Sequence, residues 1–230
     1  MELGKNAVVA ELRSNSNKKA KYLISSRLSK IKNDLSYCDL SGINFSKMNF
    51  NKINFSFSNF GGSNITSSNF KNCNFRGANL GGSNMGYSNF LNSDFECTNM
   101  SGINMPYSKA INASFKGAAL SGSYMAYCSF KKVDFSDSYL WGAFLRGSDL
   151  SGADLSGAYL NGSDLKGVNL SNANLNSTIL RGSNIKNLKI KRSDAKGLIL
   201  ALGLVKKERL RKMQLKDLLL ILENKHVLIL

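Results

Sequence analysis

The sequence predicts an all-β solenoid with short helical caps at both ends. Three observations predict it. Every fifth residue from Leu35 to Leu200 is apolar, 34 positions with no insertion or deletion. Glycine recurs every twenty residues, at Gly42, Gly62, Gly82, Gly102, Gly122, Gly142, Gly162 and Gly182. Hydrophobic residues make up 43% of the 230-residue chain and charged residues 20%, a balance that supplies a core and excludes compositional disorder. A period of five fits neither the helical nor the flat-strand repeat, and a fixed longer period is the mark of a solenoid.

The unit is plain in Ser148-Asp149-Leu150-Ser151-Gly152-Ala153-Asp154-Leu155-Ser156-Gly157. Its centres are 14 Leu, 11 Phe, 4 Met, 3 Ile and 2 Ala, the last being Ala110 and Ala195. The residue before the centre is Asn or Asp in 23 of the 34 units, which suits hydrogen bonding to nearby backbone at turns. The residue two before is usually small. Because residues i and i+20 share a character, four units make one coil. The glycine column then marks a corner that needs positive φ. Nine of the eleven central Phe fall in two of the four columns, so rings stack on rings along two adjacent faces. From Leu140 onward Leu takes over on every face.

These tandem units resemble the pentapeptide-repeat family, whose motif is roughly A(D/N)LXX. The resemblance covers residues 33–202. It implies a right-handed quadrilateral β-helix of about 8.5 coils, with the centre and the residue two before it pointing inward. The three segments are then a basic N-terminal cap at 1–32, the repeat at 33–202 and a C-terminal amphipathic tail at 203–230.

A solenoid exposes strand edges and core at its ends and needs caps. Asn17–Lys32 reads as a basic amphipathic helix with Tyr22, Leu23, Leu28 and Ile31 toward the coil. Residues 204–223 read as a helix whose apolar face includes Leu210, Met213, Leu218 and Leu222. That face is either a cap or a homodimer interface, the role a C-terminal segment has in some members of the family. The apolar end Val227-Leu228-Ile229-Leu230 is expected to dock.

No catalytic constellation emerges, and no cofactor or metal is expected. The single His, His226, lies outside the repeat and reads as a surface or cap residue. Cys38, Cys73 and Cys128 occupy the inward small position on three faces and read as buried thiols; Cys97 is outward and is the one reactive candidate. Asp134, Asp149, Asp154 and Asp164 occupy a repeat position and serve turns. Two surface features stand apart. Tyr107, Tyr124, Tyr127, Tyr139, Trp141, Phe144 and Tyr159 are outward aromatics on two adjacent faces and form a candidate partner-binding patch, or else cover the shoulders of the coil. Arg181, Lys186, Lys189, Lys191, Arg192 and Lys196 form a candidate anion-binding cluster, or else the solvated end of a rod.

Net charge is +16, from 31 basic and 15 acidic residues. The leading expectation is a non-enzymatic scaffold that presents a rigid rod to a protein partner. Some relatives in the family are bacterial effectors delivered into host cells, and the resemblance extends to that role. Other members protect DNA gyrase by presenting a DNA-like acidic rod. A +16 chain departs from that pattern, although Asp34, Asp94, Asp134, Asp154 and Asp194 share one column. Weak, salt-sensitive binding of nucleic acid or anionic membrane through the basic ends is the remaining alternative. The absence of a long apolar run and the scattered cysteines point to a bacterial cytoplasmic, reducing compartment.

Overall fold

The computed structural model describes residues 2–14, 28–204 and 213–230. Each residue before an apolar centre, from Asp34 to Asn169, forms a parallel bridge with the residue twenty positions on, ending with Asn169↔Lys189. The bridge rests on two hydrogen bonds. A centre donates its N–H to the carbonyl nineteen residues on, as Phe75 does to Asp94 at 2.7 Å. The residue before a centre donates to the carbonyl twenty-one residues back, as Asn79 does to Ser58 at 2.9 Å. Four units therefore close one turn of a four-sided coil. We number the faces by their opening centres: the first holds Leu35, the second Leu40, the third Phe45 and the fourth Phe50.

The inward positions account for the core. The centres from Leu35 to Ile190 are all buried. Phe55, Phe75, Phe95 and Phe115 stack along the first face at 5.1, 4.8 and 4.7 Å between ring centroids. Phe50 and Phe90 of the fourth face meet Phe55 and Phe95 edge-on. The small inward residue also carries hydrogen bonds. Ser88 Oγ donates to the Ile65 carbonyl at 2.7 Å and accepts the Ser68 N–H at 3.1 Å, and Ser108 repeats the pattern one turn later. Outside, Asn and Asp make ladders. Asn79 Oδ1 accepts the Gly81 N–H, while Asn79 Nδ2 donates to Asn59 Oδ1 at 2.9 Å.

One expectation needs widening. Positive φ is not confined to the glycine corner: Tyr87 (60°), Asn92 (57°) and Asp137 (56°) hold it at the other three. Every corner turns the chain within one five-residue unit, so each needs a left-handed residue, and three of the four accept side chains at a cost.

The C-terminal end departs from the five-residue register. Strand β1 (Lys189–Ile190) is followed by a 3-10 turn (Arg192–Asp194) and helix α2 (Ala195–Ala201). Ala195 and Leu200, counted as the last two centres, therefore sit in a helix, and Leu200 is exposed. Asp194 takes the N–H groups of Asn172 and Lys191 with one carboxylate oxygen, which turns the chain out of the ladder. Leu198 and Ile199 then cover the coil end instead. Helix α3 (Leu215–Glu223) starts where Asp217 accepts the Gln214 N–H, and it buries Leu218 and Leu222. Gln214 is extended, so the helix expected over 204–223 is not continuous. Strand β2 (Leu228–Ile229) returns to pair in parallel with β1. In this return His226 adopts φ 57° and gives its carbonyl to the Asn187 N–H, while Val227 is buried. The tail thus re-enters the repeat: His226 is a corner, Val227 the inward small residue and Ile229 a centre.

At the other end, helix α1 (Glu2–Ser14) packs Val8 and Leu12 into the same core as Leu28, Ile31 and Leu35. The sequence does not mark α1, and the helix it places at Asn17–Lys32 lies, up to residue 27, outside the described residues. Leu28 and Ile31 are buried as expected, in and just after a helical turn at 28–30, whereas Tyr22 and Leu23 lie outside the described residues. The two-residue stripe of α1 is too short to stand out by periodicity. Lys5 Nζ reaches Asp34 Oδ2 at 2.7 Å, and Arg13 reaches Asp39 at 2.8 Å. Burial pushes the Asp34 carboxyl up, but hydrogen bonds from Lys5 and Ser36 outweigh it and bring its pKa to about 2.

Phe95→Ala should remove stacking on both sides and destabilise the coil by about 3–5 kcal/mol, measured by chemical denaturation. The Lys5–Asp34 contact predicts acid sensitivity of α1. Because the folded pKa of Asp34 is depressed, its contribution is complete above the ordinary value of 3.8 and is lost as pH falls through about 2. The helical circular-dichroism signal should fall in that window, and Lys5→Ala should shift the fall to higher pH.

Candidate interaction surface

The four-sided coil sorts the sequence by face. Stretches 58–67, 78–87, 98–107 and 118–127 form the second and third faces of four successive turns, and they contain no Asp, Glu, Lys or Arg. The alternating stretches 68–77, 88–97, 108–117 and 128–137 form the fourth and first faces, and they contain ten. A chain of net charge +16 therefore has one side that is neutral over these four turns, and charge returns to it only at the ends, with Asp39 and Lys47 before and Arg146, Asp164, Lys166, Arg181 and Lys186 beyond. The expected aromatic residues lie along that side and at its end.

They form three sets. Tyr139 and Tyr159 stack on the second face at 5.4 Å, and Trp141 meets both edge-to-face at 6.2 and 6.1 Å. Tyr124 and Phe144 lie 6.2 Å apart on the third face. Tyr107 and Tyr127 stack at 5.2 Å at the following corner. No ring contact joins one set to another among the described residues. All seven rings keep a large exposed fraction, from 36% for Tyr159 to 52% for Trp141. Three aromatics belong with them that were not among the candidates. Tyr87 extends the Tyr107–Tyr127 ladder at 5.3 Å, and Tyr37 stacks on Phe57 at 5.1 Å. The twenty-residue spacing of these pairs was the available signal. Each ladder ends over a glycine: a Cβ on Gly147 would lie 2.6 Å from the Tyr127 ring, and one on Gly77 2.5 Å from Phe57.

The basic residues are placed differently. Arg181, Lys186, Lys189, Lys191, Arg192 and Lys196 are all exposed. The coil turns by one face every five residues, so they ring its last turn and do not share a side. Arg146, Lys166 and Lys186 do form one column, twenty residues apart, their turns linked by the bonds Gly147 N–H to Lys166 carbonyl and Gly167 N–H to Lys186 carbonyl. The acidic column is already engaged. Asp34 pairs with Lys5, and Asp94, Asp134 and Asp154 accept the N–H of the residue two on. At the C-terminal end Met213 is half-buried, Leu218 and Leu222 are buried, and Leu210 lies outside the described residues. Leu215, Leu220, Leu228 and Leu230 are exposed beside them.

A groove of about 520 Å³ separates α1 from the first turn, and its cations Lys5 and Arg13 are matched to Asp34 and Asp39. No described helix is long and apolar enough to cross a membrane. The thiols divide by burial. Burial pushes Cys73 and Cys128 up to about 12 and raises Cys38, whereas Cys97 is exposed at a corner.

The family model described as pentapeptide repeats matches eight copies, over residues 34–72, 73–106, 113–152 and 148–187. No curated protein sequence matches the chain. Among solved structures, it is similar to QnrB1, a plasmid-mediated fluoroquinolone resistance protein, at 22% identity over 74% of this chain and 94% of that one, with a TM-score of 0.39. It is similar to HetL, involved in heterocyst differentiation regulation in the cyanobacterium Nostoc sp. strain PCC 7120, at 20% identity over 67% and 86%, with a TM-score of 0.37. A pentapeptide-repeat protein of the Arabidopsis thaliana thylakoid lumen shares 27% identity over 47% of this chain and 75% of that one, with a TM-score of 0.38.

In native protein an aromatic disulfide reagent should titrate one thiol, Cys97, and in denaturant all four. Cys97→Ser should abolish the native reaction.

Proposed function

The chain belongs to the pentapeptide-repeat family, whose fold is the right-handed quadrilateral β-helix, and from that premise we propose that it is a non-enzymatic interaction scaffold that presents its neutral, aromatic side to a protein partner. One observation carries the reading: the second and third faces hold no charge across four turns of a strongly basic chain, and exposed Tyr139, Trp141, Phe144 and Tyr159 lie directly beyond on the same side. A solvated surface of a +16 protein has no reason of its own to exclude charge from two faces out of four. Tyr and Trp are the residues that most often dominate binding energy at interfaces, because they bury large apolar areas at low entropic cost.

The parallel ladder supports the same reading. It fixes the rings on a rigid backbone, so little ordering entropy is lost on contact. The DNA-mimic reading has less support here, because the acidic column is occupied by Lys5 and by turn N–H groups. The basic end gives an anionic partner no single side to bind, apart from the Arg146–Lys166–Lys186 column.

Affinity capture at physiological salt tests the proposal. Wild-type protein should retain a protein partner, from lysate or from a differently tagged pool of the same chain, that Tyr139→Ala/Trp141→Ala loses, with both proteins equally folded. Recovery of only nucleic acid or lipid, equal for the two proteins and eluted by moderate salt, would overturn it.

A further inference from the structure

The second face is self-complementary, and we infer that its partner is a second copy of this chain, the two rods lying antiparallel about a twofold axis that crosses the face between the turns of Met100 and Leu120. The inference rests on the reading of this side as an interaction surface and names its occupant.

Charge gives the first argument. On the second face the only charged residues are Asp39 at one end and Arg181 at the other. Two copies of a +16 chain repel one another wherever cations meet. Between its two ends this face lets them approach with no cations opposed; only at the ends does Arg181 come near Arg13 of α1, which already pairs with Asp39.

Shape gives the second. The outward residues of the face run in two columns, and size is segregated along both. The early half carries Asn59, Gly61, Asn79 and Gly81; the late half carries Tyr139, Trp141 and Tyr159. Reversing one copy about the stated axis sets Trp141 over Gly81, Tyr139 over Asn79 and Tyr159 over Asn59. Every large ring meets a flat partner, and the twofold delivers each contact twice. Arg181 then falls over Ser41, beside Asp39 and the Arg13 that pairs with it. A parallel arrangement would instead set the rings of the two copies against one another.

The third argument is period. Both surfaces repeat once per turn of the ladder, so contacts that register at one turn register at the next. A partner of another fold has no such repeat.

The glycine corner, which borders this face, is the independent observation. All four corners require positive φ, yet the others carry glycine only in some turns and elsewhere Lys, Asn, Tyr, Phe, Cys, Ser or Asp, whereas this one is glycine eight times in eight. A Cβ at Gly42, Gly62, Gly82, Gly102, Gly122, Gly142 or Gly162 would meet nothing within 4 Å. Positive φ favours glycine here, but no steric clash demands it, and the other corners show that side chains are tolerated at the same φ. In the antiparallel pair the two glycine corners lie side by side, where side chains would hold the faces apart.

Sedimentation equilibrium on the full chain tests the inference. Wild type should be dimeric, and Trp141→Lys should weaken association at least about tenfold with an unchanged melting temperature. In a Cys97→Ser background, a short bismaleimide should cross-link Ser101→Cys, which lies next to the axis, and should not cross-link Arg181→Cys. The reverse cross-linking pattern, or a dimer that survives Trp141→Lys and is lost in Leu220→Lys, would place the interface at the C-terminal end and overturn the inference. A wild type that stays monomeric at high micromolar concentration would also overturn it. If that monomer still loses a captured protein on Tyr139→Ala/Trp141→Ala, the scaffold reading stands with a different occupant. If it loses none, both fail.

Discussion

The backbone ladder between residues twenty apart is the constraint from which the other features follow. Each N–H of the ladder must find a carbonyl on the adjacent turn, because a buried amide left unpaired costs about 1–3 kcal/mol and the ladder repeats that cost at every unit. The bonds from Phe75 to Asp94 and from Asn79 to Ser58 recur with a spread of a few tenths of an ångström along the coil. That spacing puts Phe95 on Phe75, Asn79 on Asn59 and Tyr107 on Tyr87 without any side chain choosing its neighbour. Side chains then decide only how well each column packs. The corners show the cost. A residue such as Tyr127 is held at positive φ because the ladder on either side leaves it no alternative.

The same constraint explains how the ends are built. A ladder cannot stop without exposing a row of unpaired groups. At the C-terminal end the chain leaves the register at Asp194, spends α2 and α3 on covering the core with Leu198, Ile199, Leu218 and Leu222, and then returns β2 to the open edge. His226, the only histidine, is there for its backbone: it makes the corner that lets Val227 and Ile229 resume the inward positions. At the N-terminal end an amphipathic helix does the covering, held by Lys5 and Arg13 on the first two aspartates of the ladder.

Function follows from what the ladder leaves unspecified. The inward half of each unit is committed to the core, and the Asn and Asp beside it to the turns. Charge and exposed aromatic area are free to vary, yet they are sorted by face. The neutral side, with its bare glycine corner and rings held at 5–6 Å from one another, is where the chain departs from what folding alone requires.

The sequence by itself determined the coil. A period of five within a period of twenty admits one closed four-sided path, so the core, the columns and the turn chemistry were legible residue by residue. It also marked Tyr124, Tyr139, Phe144 and Tyr159, because they break the Asn/Asp pattern at an outward position, and Trp141 as an outward aromatic on the same faces. Tertiary structure decided the rest. Whether Leu200 is a centre or a helix residue depends on how a coil end closes, and no local pattern carries that. The location of α1 rests on two side chains, Val8 and Leu12, that gain their partners only once the first turn exists. The candidate aromatic patch resolved into three separate sets, and the basic cluster into a ring around the last turn, because each five-residue step carries the chain to a new face. Neighbours in sequence therefore face apart, while residues twenty apart lie side by side.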